Sequence, residues 1–81
     1  MLRLYNSWRE AGHVPEDWQP AAPPGHIEKR RVKNSELLDA LRELKAGKWR
    51  KVYRKGRDGS EVHYFEHESG VVAGVKMKYK G

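Results

Sequence analysis

The 81-residue sequence contains no cysteine and no long hydrophobic run. Without cysteine there is no disulfide framework, no thiolate nucleophile and no cysteine-based zinc cluster. No stretch approaches the ~18 consecutive apolar residues of a membrane-spanning helix. Residues 1–11 carry charges where a secretory signal peptide would have its apolar core, so we expect no such peptide there. A chain of this length fits one domain with a modest core.

Acidic residues are scarce relative to basic ones. The chain has 17 lysines and arginines against 11 aspartates and glutamates, which gives a net charge of +6. Residues 1–25 contain two basic and three acidic residues, whereas residues 48–81 contain nine basic and four acidic ones. A cationic field concentrated in one region favours a polyanionic partner, most commonly nucleic acid. Solubility alone is the alternative explanation for such a charge.

The first 24 residues predict a short helix followed by a connector. Leu4, Trp8 and Ala11 have the i, i+4, i+7 spacing of an amphipathic helix, which we expect to end at Gly12. All four prolines follow this segment, so the connector is neither a regular helix nor an inner strand. We expect Trp8 to be a packing anchor and Trp18 to attach the connector to the domain; the alternative is that the whole first quarter of the chain is a linker from a longer protein.

The remaining residues predict one helix and a small antiparallel sheet. After the basic run HIEKRRVK, either Asn34 or Ser35 can cap a helix whose leucines at positions 37, 38, 41 and 44 form one stripe. Three later segments alternate β-branched or aromatic residues with charged ones, and glycine-containing turns separate them. The expected strands cover residues 48–54, 61–66 and 71–79. The predicted fold is therefore α+β, with one or two N-terminal helices packed on a three- to four-stranded sheet. We expect residues 1–24 to form the first helix and connector and residues 25–81 the core, within a single domain.

Alternation of side chains divides the predicted sheet into two faces. In the third strand, one face holds Val71, Ala73, Val75, Met77 and Tyr79, and we expect this face to pack against the helix. We place Val52, Val62 and Tyr64 on the same inner side. The open face then carries Lys51, Tyr53, His63, Val72, Gly74, Lys76 and Lys78, with His26, Lys29, Arg30 and Arg31 at its edge. Trp49 also falls on the open side, either as a base-stacking residue or as a sign of a different register.

The residue types on the open face match those needed for RNA cleavage without a metal ion. A general base must take the proton of a ribose 2′-hydroxyl, an acid must protonate the leaving 5′-oxygen, and cations must stabilise the phosphorane. Histidine can perform either proton transfer, and Tyr53 or Trp49 can stack on an unpaired base. A metal site is not predicted, because His63 and His67 would stand ~13 Å apart on a strand. From residue types alone, simple RNA or DNA binding is the stronger alternative, since basic sheets with an exposed histidine are common.

Short segments within residues 25–80 carry a resemblance to a known group of proteins. These segments are GHIEKRRV, SELLDALREL, WRKVY, VHYFE and SGVVAGVKMK. They resemble the C-terminal ribonuclease domains of bacterial polymorphic and contact-dependent inhibition toxins, in particular the colicin D and RelE-like, barnase-like group of metal-independent ribonucleases. The colicin D strand has a tryptophan where this chain has Val75, so a stacking role does not carry over to that position.

The resemblance implies a function and a set of roles. It implies an endoribonuclease without a cofactor that cuts RNA, most often transfer RNA, in the bacterial cytoplasm after delivery from a secreted or cell-surface parent protein. It also implies an acidic immunity or antitoxin protein as partner. His26 would be the acid or base, and Lys29, Arg30 and Lys76 would contact phosphate, whereas His63 is placed by strand parity alone. The remaining predicted RNA contacts are Arg31, Lys51, Tyr53 and Lys78. A third alternative is a small protein-interaction domain, such as a phage-encoded inhibitor, whose basic face binds an acidic protein.

Overall fold

The computed structural model describes residues 2–22 and 26–79, and these residues form an α+β domain. In chain order the elements are β1 (Leu4–Tyr5), a 3₁₀ helix (Trp8–Ala11), β2 (Ile27–Arg31), α1 (Ser35–Leu44), β3 (Trp49–Lys55), β4 (Glu61–His67) and β5 (Val72–Lys78). Within the described residues, the five strands form one antiparallel sheet in the order β1-β5-β4-β3-β2. The predicted α+β class is confirmed, with five strands instead of three or four.

Some predicted features fall outside the described part of the chain. Residues 23–25 belong to the predicted connector, residue 1 to the predicted first helix, and residues 80 and 81 to the end of the predicted core. No helix in residues 2–22 or 26–79 has the length and hydrophobicity needed to cross a bilayer.

The predicted α1 and the three C-terminal strands are present close to their expected bounds. The side chain of Asn34 caps α1 by accepting a hydrogen bond from the N–H of Leu37 at 3.1 Å. The helix ends at Leu44, and the N–H of Lys45 still bonds to the carbonyl of Leu41. Among its leucines, Leu41 is fully buried because it points directly onto the sheet.

Strand β2 arises from the basic run that was predicted only as the approach to the helix. It pairs with β3 along its whole length, from Ile27 opposite Arg54 to Arg31 opposite Arg50. All five of its residues are exposed. Because both faces of this strand are polar, the period of two that marks a strand is absent from its sequence. Charged residues on such an edge also discourage pairing with further chains.

The predicted N-terminal helix is wrong over most of its length. Only Trp8–Ala11 is helical, as a single 3₁₀ turn that ends at Gly12, whose φ of 77° lies in the left-handed region. Leu4 and Tyr5 instead pair with Ala73 and Val72 of β5. A helix this short has little stability of its own, whereas pairing with a sheet edge satisfies the backbone hydrogen-bonding groups.

Two apolar layers cover opposite faces of the sheet. We call the first face the tryptophan face, because Trp18 and the partly buried Trp8 of the N-terminal segment pack on it. Its sheet residues are Val52, Val62, Tyr64, Val72 and Val75. We call the second face the helix face, where Leu41 of α1 packs with Val32, Trp49 and Ala73. Val52, Val62 and Tyr64 are buried as predicted, but the N-terminal segment covers them and α1 does not.

A bulge at Gly74 overturns the predicted parity of β5. His63 pairs with Lys76 but Phe65 pairs with Ala73, so Tyr64 alone faces both Gly74 and Val75. The φ of Gly74 is 62°, as expected for the extra residue of such a bulge. The bulge shifts the alternation by one residue.

Four predicted positions are corrected, and the shifted alternation accounts for two of them, Val72 and Ala73. Val72, predicted on the open face, is buried on the tryptophan face with Val75, whereas Ala73 alone of the predicted inner set faces α1. Tyr79, predicted inward, is 68% exposed because it lies beyond the end of β5. Trp49, predicted on the open side, is 5% exposed because α1 covers that end of the helix face. Its Nε1–H donates to the carbonyl of Lys45 at 2.9 Å.

Trp18 attaches the connector to the turn between β3 and β4, as predicted. It is buried, and its Nε1–H donates to Oγ of Ser60 at 2.8 Å. The Ser60 hydroxyl in turn donates to the carboxylate of Asp58, which also accepts a bond from the Ser60 N–H. These bonds hold the pKa of Asp58 below its ordinary value of 3.8. Backbone bonds from Ala21 to Lys55 and from Arg57 to Gln19 reinforce the attachment.

We expect Ser60→Ala to destabilise the domain by about 1–3 kcal/mol, because it leaves the buried Trp18 N–H without an acceptor. Urea denaturation of Ser60→Ala, Trp18→Phe and the double variant forms a cycle. The double variant should cost less than the sum of the two single changes, with a coupling near ~1 kcal/mol. Ser35→Ala, at the exposed start of α1, is the matched control and should change little. Additive effects would show that the bond contributes nothing.

The lowered pKa of Asp58 predicts a pH-dependent contribution to stability. A depressed pKa adds stability that is present above the unfolded-state pKa of ~3.9 and is lost as the pH falls through the folded-state value. Asp58→Asn should therefore unfold at lower urea than the wild type at pH 7, and the difference should shrink below about pH 4. Asp39→Asn on the exposed side of α1 is the control. A difference that stays constant from pH 7 to pH 2 contradicts this prediction.

Gly74→Ala should be more damaging than Gly12→Ala, although both residues have a positive φ. Each substitution forces alanine into the left-handed region, at a cost of roughly 1–2 kcal/mol. At Gly12 an added Cβ would meet nothing within 4 Å, whereas at Gly74 it would lie 2.9 Å from Leu2 Cδ2 and 3.1 Å from Phe65 Cδ2. Chemical denaturation measures both variants. Equal losses of stability would mean that the bulge tolerates a side chain.

Candidate nucleic-acid interface

The part of the helix face that α1 leaves uncovered carries a polar patch. Its centre is a row of four residues that are directly opposite one another on four adjacent strands: Glu28, Tyr53, His63 and Lys76. A second row, Lys55, Glu61 and Lys78, lies beside it. Residues directly opposite on neighbouring strands point to the same side, so all of these side chains share one face. We call this set, with Arg30 and Lys51 on the α1 side, the polar patch.

His63 lies at the centre of the polar patch and has a carboxylate partner. Its Nε2 is 3.0 Å from Oε2 of Glu61, two residues earlier on the same face of β4. Its ring packs edge-on against Tyr53, with ring centroids 4.5 Å apart. The side chain of His63 is 14% exposed and that of Glu61 is 37% exposed, so the carboxylate is the more accessible of the pair.

Cations surround the Tyr53 ring. The guanidinium carbon of Arg30 lies 5.1 Å from the ring centroid, and Nζ of Lys51 lies 5.3 Å from it. Lys51 also lies 5.8 Å from the ring centroid of Phe65. These distances fit cation–π contacts, which hold both charges over the sheet surface.

Arg30 also forms an ion pair at the outer margin of the patch. Its Nε donates to Oε1 of Glu28 at 2.8 Å. This hydrogen bond holds the pKa of Glu28 below its usual value and raises the pKa of Arg30. Because both side chains are more than half exposed, solvent screens the pair and its contribution to stability is small.

Two cavities flank the polar patch. One, of about 250 Å³, lies between the start of α1 and the sheet and is lined by Arg30, Lys51, Tyr53 and Phe65 among others. The other, of about 720 Å³, lies between the N-terminal segment and β5, and Lys76 and His13 line it. His63 lines neither of the two and sits on the sheet surface between them. An extended ligand that crosses the patch can therefore reach concave surface on both sides.

The structure places the predicted site residues on different faces. Arg30, Lys51, Tyr53, His63, Lys76 and Lys78 come together on the polar patch. Lys29 and Arg31 point to the other side of the sheet, because they lie opposite Val52 and Arg50. Nζ of Lys29 is there bound to Glu66 at 2.8 Å.

His26 lies at the outer edge of the sheet, immediately before β2. Its carbonyl accepts a hydrogen bond from the N–H of Lys55 at 2.8 Å, and its buried Nδ1 has no hydrogen-bond partner within the described residues. Three strand spacings, roughly 14 Å, separate β2 from β5. The backbone therefore keeps His26 far from Lys76, whereas His63 is directly opposite Lys76.

Sequence reasoning missed three residues of the patch, Glu28, Lys55 and Glu61, of which Glu61 is the one bonded to His63. The signal for Glu61 was present in the segment Glu61-Val62-His63, because residues i and i+2 of a strand share a face.

His67 lies in a buried environment typical of a structural residue. It is 5% exposed, and its ring nitrogens lie 2.8 Å from Ser69 Oγ and 2.7 Å from the carbonyl oxygen of Ala46. In residues 2–22 and 26–79, no three His, Cys, Asp or Glu side chains are grouped so that they could hold a metal ion.

No protein-family model, curated protein or solved structure matches this chain. The chemistry of the polar patch is therefore the basis on which a function can be assigned.

Proposed function

We propose that the domain is a metal-independent endoribonuclease whose reacting groups lie on the polar patch. The observation that carries this proposal is the position of His63. It is hydrogen-bonded to the accessible carboxylate of Glu61 and is directly opposite Lys76. A carboxylate, a histidine and a cation on one open surface are the three kinds of group that cleavage at a ribose 2′-hydroxyl uses.

In the proposed reaction Glu61 takes the proton of the 2′-hydroxyl, and the 2′-oxygen attacks the adjacent phosphorus. Protonated His63 gives a proton to the departing 5′-oxygen. The bond from phosphorus to the 5′-oxygen breaks, which leaves a 2′,3′-cyclic phosphate on one fragment and a 5′-hydroxyl on the other. Lys76 is placed to stabilise the negative charge of the phosphorane, because it is directly across the strand from His63.

The surroundings of His63 support an unpaired RNA strand as substrate. The rings of Tyr53 and Phe65 line the cavity beside the patch, and Lys51 lies over both rings. Aromatic rings bind unpaired bases by stacking, and the nearby cations attract the phosphate backbone. Lys78 extends this basic surface along β5.

The toxin setting is a further part of the proposal and rests on the sequence resemblance. In that setting the substrate would be an RNA of the target bacterium, with transfer RNA as the first candidate, and the site of action would be the bacterial cytoplasm. An acidic immunity protein would then be the natural inhibitor, because the polar patch and its surroundings are mainly cationic.

Cleavage of labelled RNA in excess chelator tests the ribonuclease proposal. We expect wild-type protein to cleave and His63→Gln to be slower by about 100-fold or more, because it removes the general acid. Glu61→Gln should be impaired as well, whereas Glu43→Gln on exposed α1 removes the same charge and should remain active. His26→Gln should retain most activity, because His26 lies at the outer edge of the sheet, immediately before β2.

The outcomes separate the alternatives. Intact RNA with wild-type protein would sink the ribonuclease proposal, and salt-dependent RNA binding in the same samples would then indicate a non-catalytic binding module. If the protein neither cleaves nor binds RNA, the small protein-interaction domain is the remaining alternative. Cleavage that depends on His26 and not on His63 would keep the activity but move the reaction to the sheet edge. Thermal unfolding of each variant checks that the fold is intact.

A further inference from the structure

A second cationic surface lies beyond the polar patch, at the end of β2 and β3, and shares Arg31 with the cavity beside the patch. A cleft of about 380 Å³ there is lined by four basic residues, Arg31, Arg42, Lys48 and Arg50, and by no acidic residue. All four are exposed. The apolar floor includes Trp49 and Leu38, which the packing of α1 holds in place.

None of these four side chains forms an ion pair in the described part of the chain, although Glu66 is directly opposite Arg50 and the carboxylate of Glu68 accepts a hydrogen bond from the Lys48 N–H at 2.7 Å. The three ion pairs found in residues 2–22 and 26–79 involve Lys29, Arg30 and His63. Lys29 and Arg30 immediately precede Arg31 on the same strand, so neighbouring positions on β2 are neutralised while Arg31 is not.

Two of the arginines face each other. Arg31 and Arg50 are direct partners across β2 and β3, so their side chains leave the same side of the sheet roughly 5 Å apart. Like charges in this position are destabilising. Arg42 lines the cleft from α1, on the opposite side of the sheet, and its Nε donates to the carbonyl of Gly47 at 3.3 Å. An anion bound between Arg31 and Arg50 would relieve their repulsion.

We propose that this cleft, which we call the arginine cleft, binds a phosphate of an RNA backbone. Guanidinium groups bind phosphate in a two-point geometry that suits a pair of arginines. This proposal deepens the proposed function and rests on it, since it makes the arginine cleft a second contact for the same RNA. RNA is favoured over an acidic protein because the exposed basic strand β2 connects the cleft to the polar patch around the sheet edge.

The separation of the two surfaces sets a requirement on the substrate. Arg31 lies two strands across the sheet from His63 and three residues along it, and these two offsets together place the residues roughly 14 Å apart. The side chain of Arg31 also points to the opposite face of the sheet. One phosphate cannot contact both groups. The arginine cleft therefore holds a nucleotide remote from the cleaved bond, and it gives affinity for RNA longer than a dinucleotide without taking part in the reaction.

Salt-dependent binding of a 2′-O-methyl RNA 12-mer tests the arginine cleft. This probe lacks the attacking 2′-hydroxyl, so its binding is measured whether or not the protein cleaves RNA. We expect Arg31→Gln and Arg50→Gln each to weaken binding about fivefold near ~0.1 M salt and to reduce the slope of log K against log salt by about 0.7. Arg57→Gln removes the same charge in the β3–β4 turn and should change neither value. Cleavage of a dinucleotide should be unaffected by all three substitutions.

Three results would overturn the proposal. The first is a wild-type slope in both Arg31→Gln and Arg50→Gln. The second is an equal loss in Arg57→Gln, which would reduce the effect to net charge. The third is binding of polyglutamate that depends on both arginines while RNA affinity does not, which would assign the arginine cleft to an acidic protein. Loss of folding does not confuse these outcomes, because the replaced side chains are exposed and their removal should leave the Tm unchanged or raise it.

Discussion

The hydrogen bond from the Trp18 indole to Ser60 holds the N-terminal segment over one face of the sheet, and the rest of the domain depends on that cover. A chain of 81 residues has one α-helix of ten residues in its described part, too short to cover both faces. Because Trp8, Val14 and Trp18 bury the tryptophan face, α1 is left to the other face and covers only one end of it. The uncovered remainder is the polar patch.

The bulge at Gly74 makes this division of the sheet possible. Without it, Val72 and Val75 would point to opposite sides, and no arrangement could bury both under the tryptophans while keeping Lys76 beside His63. One additional residue in β5 thus satisfies two demands, a continuous apolar surface on one face and a charged row on the other. The left-handed φ of 62° at this position requires glycine or a strained alternative.

Local sequence patterns were sufficient to predict the elements whose own residues show those patterns. Three such patterns each depend on neighbouring residues only: the cap at Asn34, the leucine stripe of α1 and the alternation around Val62 and Tyr64. These parts of the fold are present as predicted. Strand β2 could not be predicted in this way, because its exposed residues are polar on both faces and its pairing is set by β3. The Gly74 bulge was missed, although a glycine inside a strand often marks a bulge.

The candidate site was likewise predictable where it depends on alternation within one strand and not where it depends on pairing between strands. Strand parity correctly grouped Lys51, Tyr53, His63, Lys76 and Lys78, because the predicted faces of β3 and β4 were right and the bulge lies before Lys76. The basic run could not be divided by sequence alone. Only pairing with β3 shows that Arg30 points to the polar patch while Lys29 and Arg31 point away from it.

The edge strand β2 gives the domain its two-sided charge. On a strand that is buried on one face, a run of consecutive cations would place alternate charges in the core, at a cost that no pairing there would offset. On an edge strand that is exposed on both faces, the same run distributes its cations to the two sides of the sheet. Arg30 thereby contributes to the polar patch and Arg31 to the arginine cleft, although they are adjacent in sequence. Along this edge cations therefore lie on both faces of the sheet, although Glu66 pairs with Lys29 and Glu28 with Arg30, so a ligand confined to one face would contact only part of them.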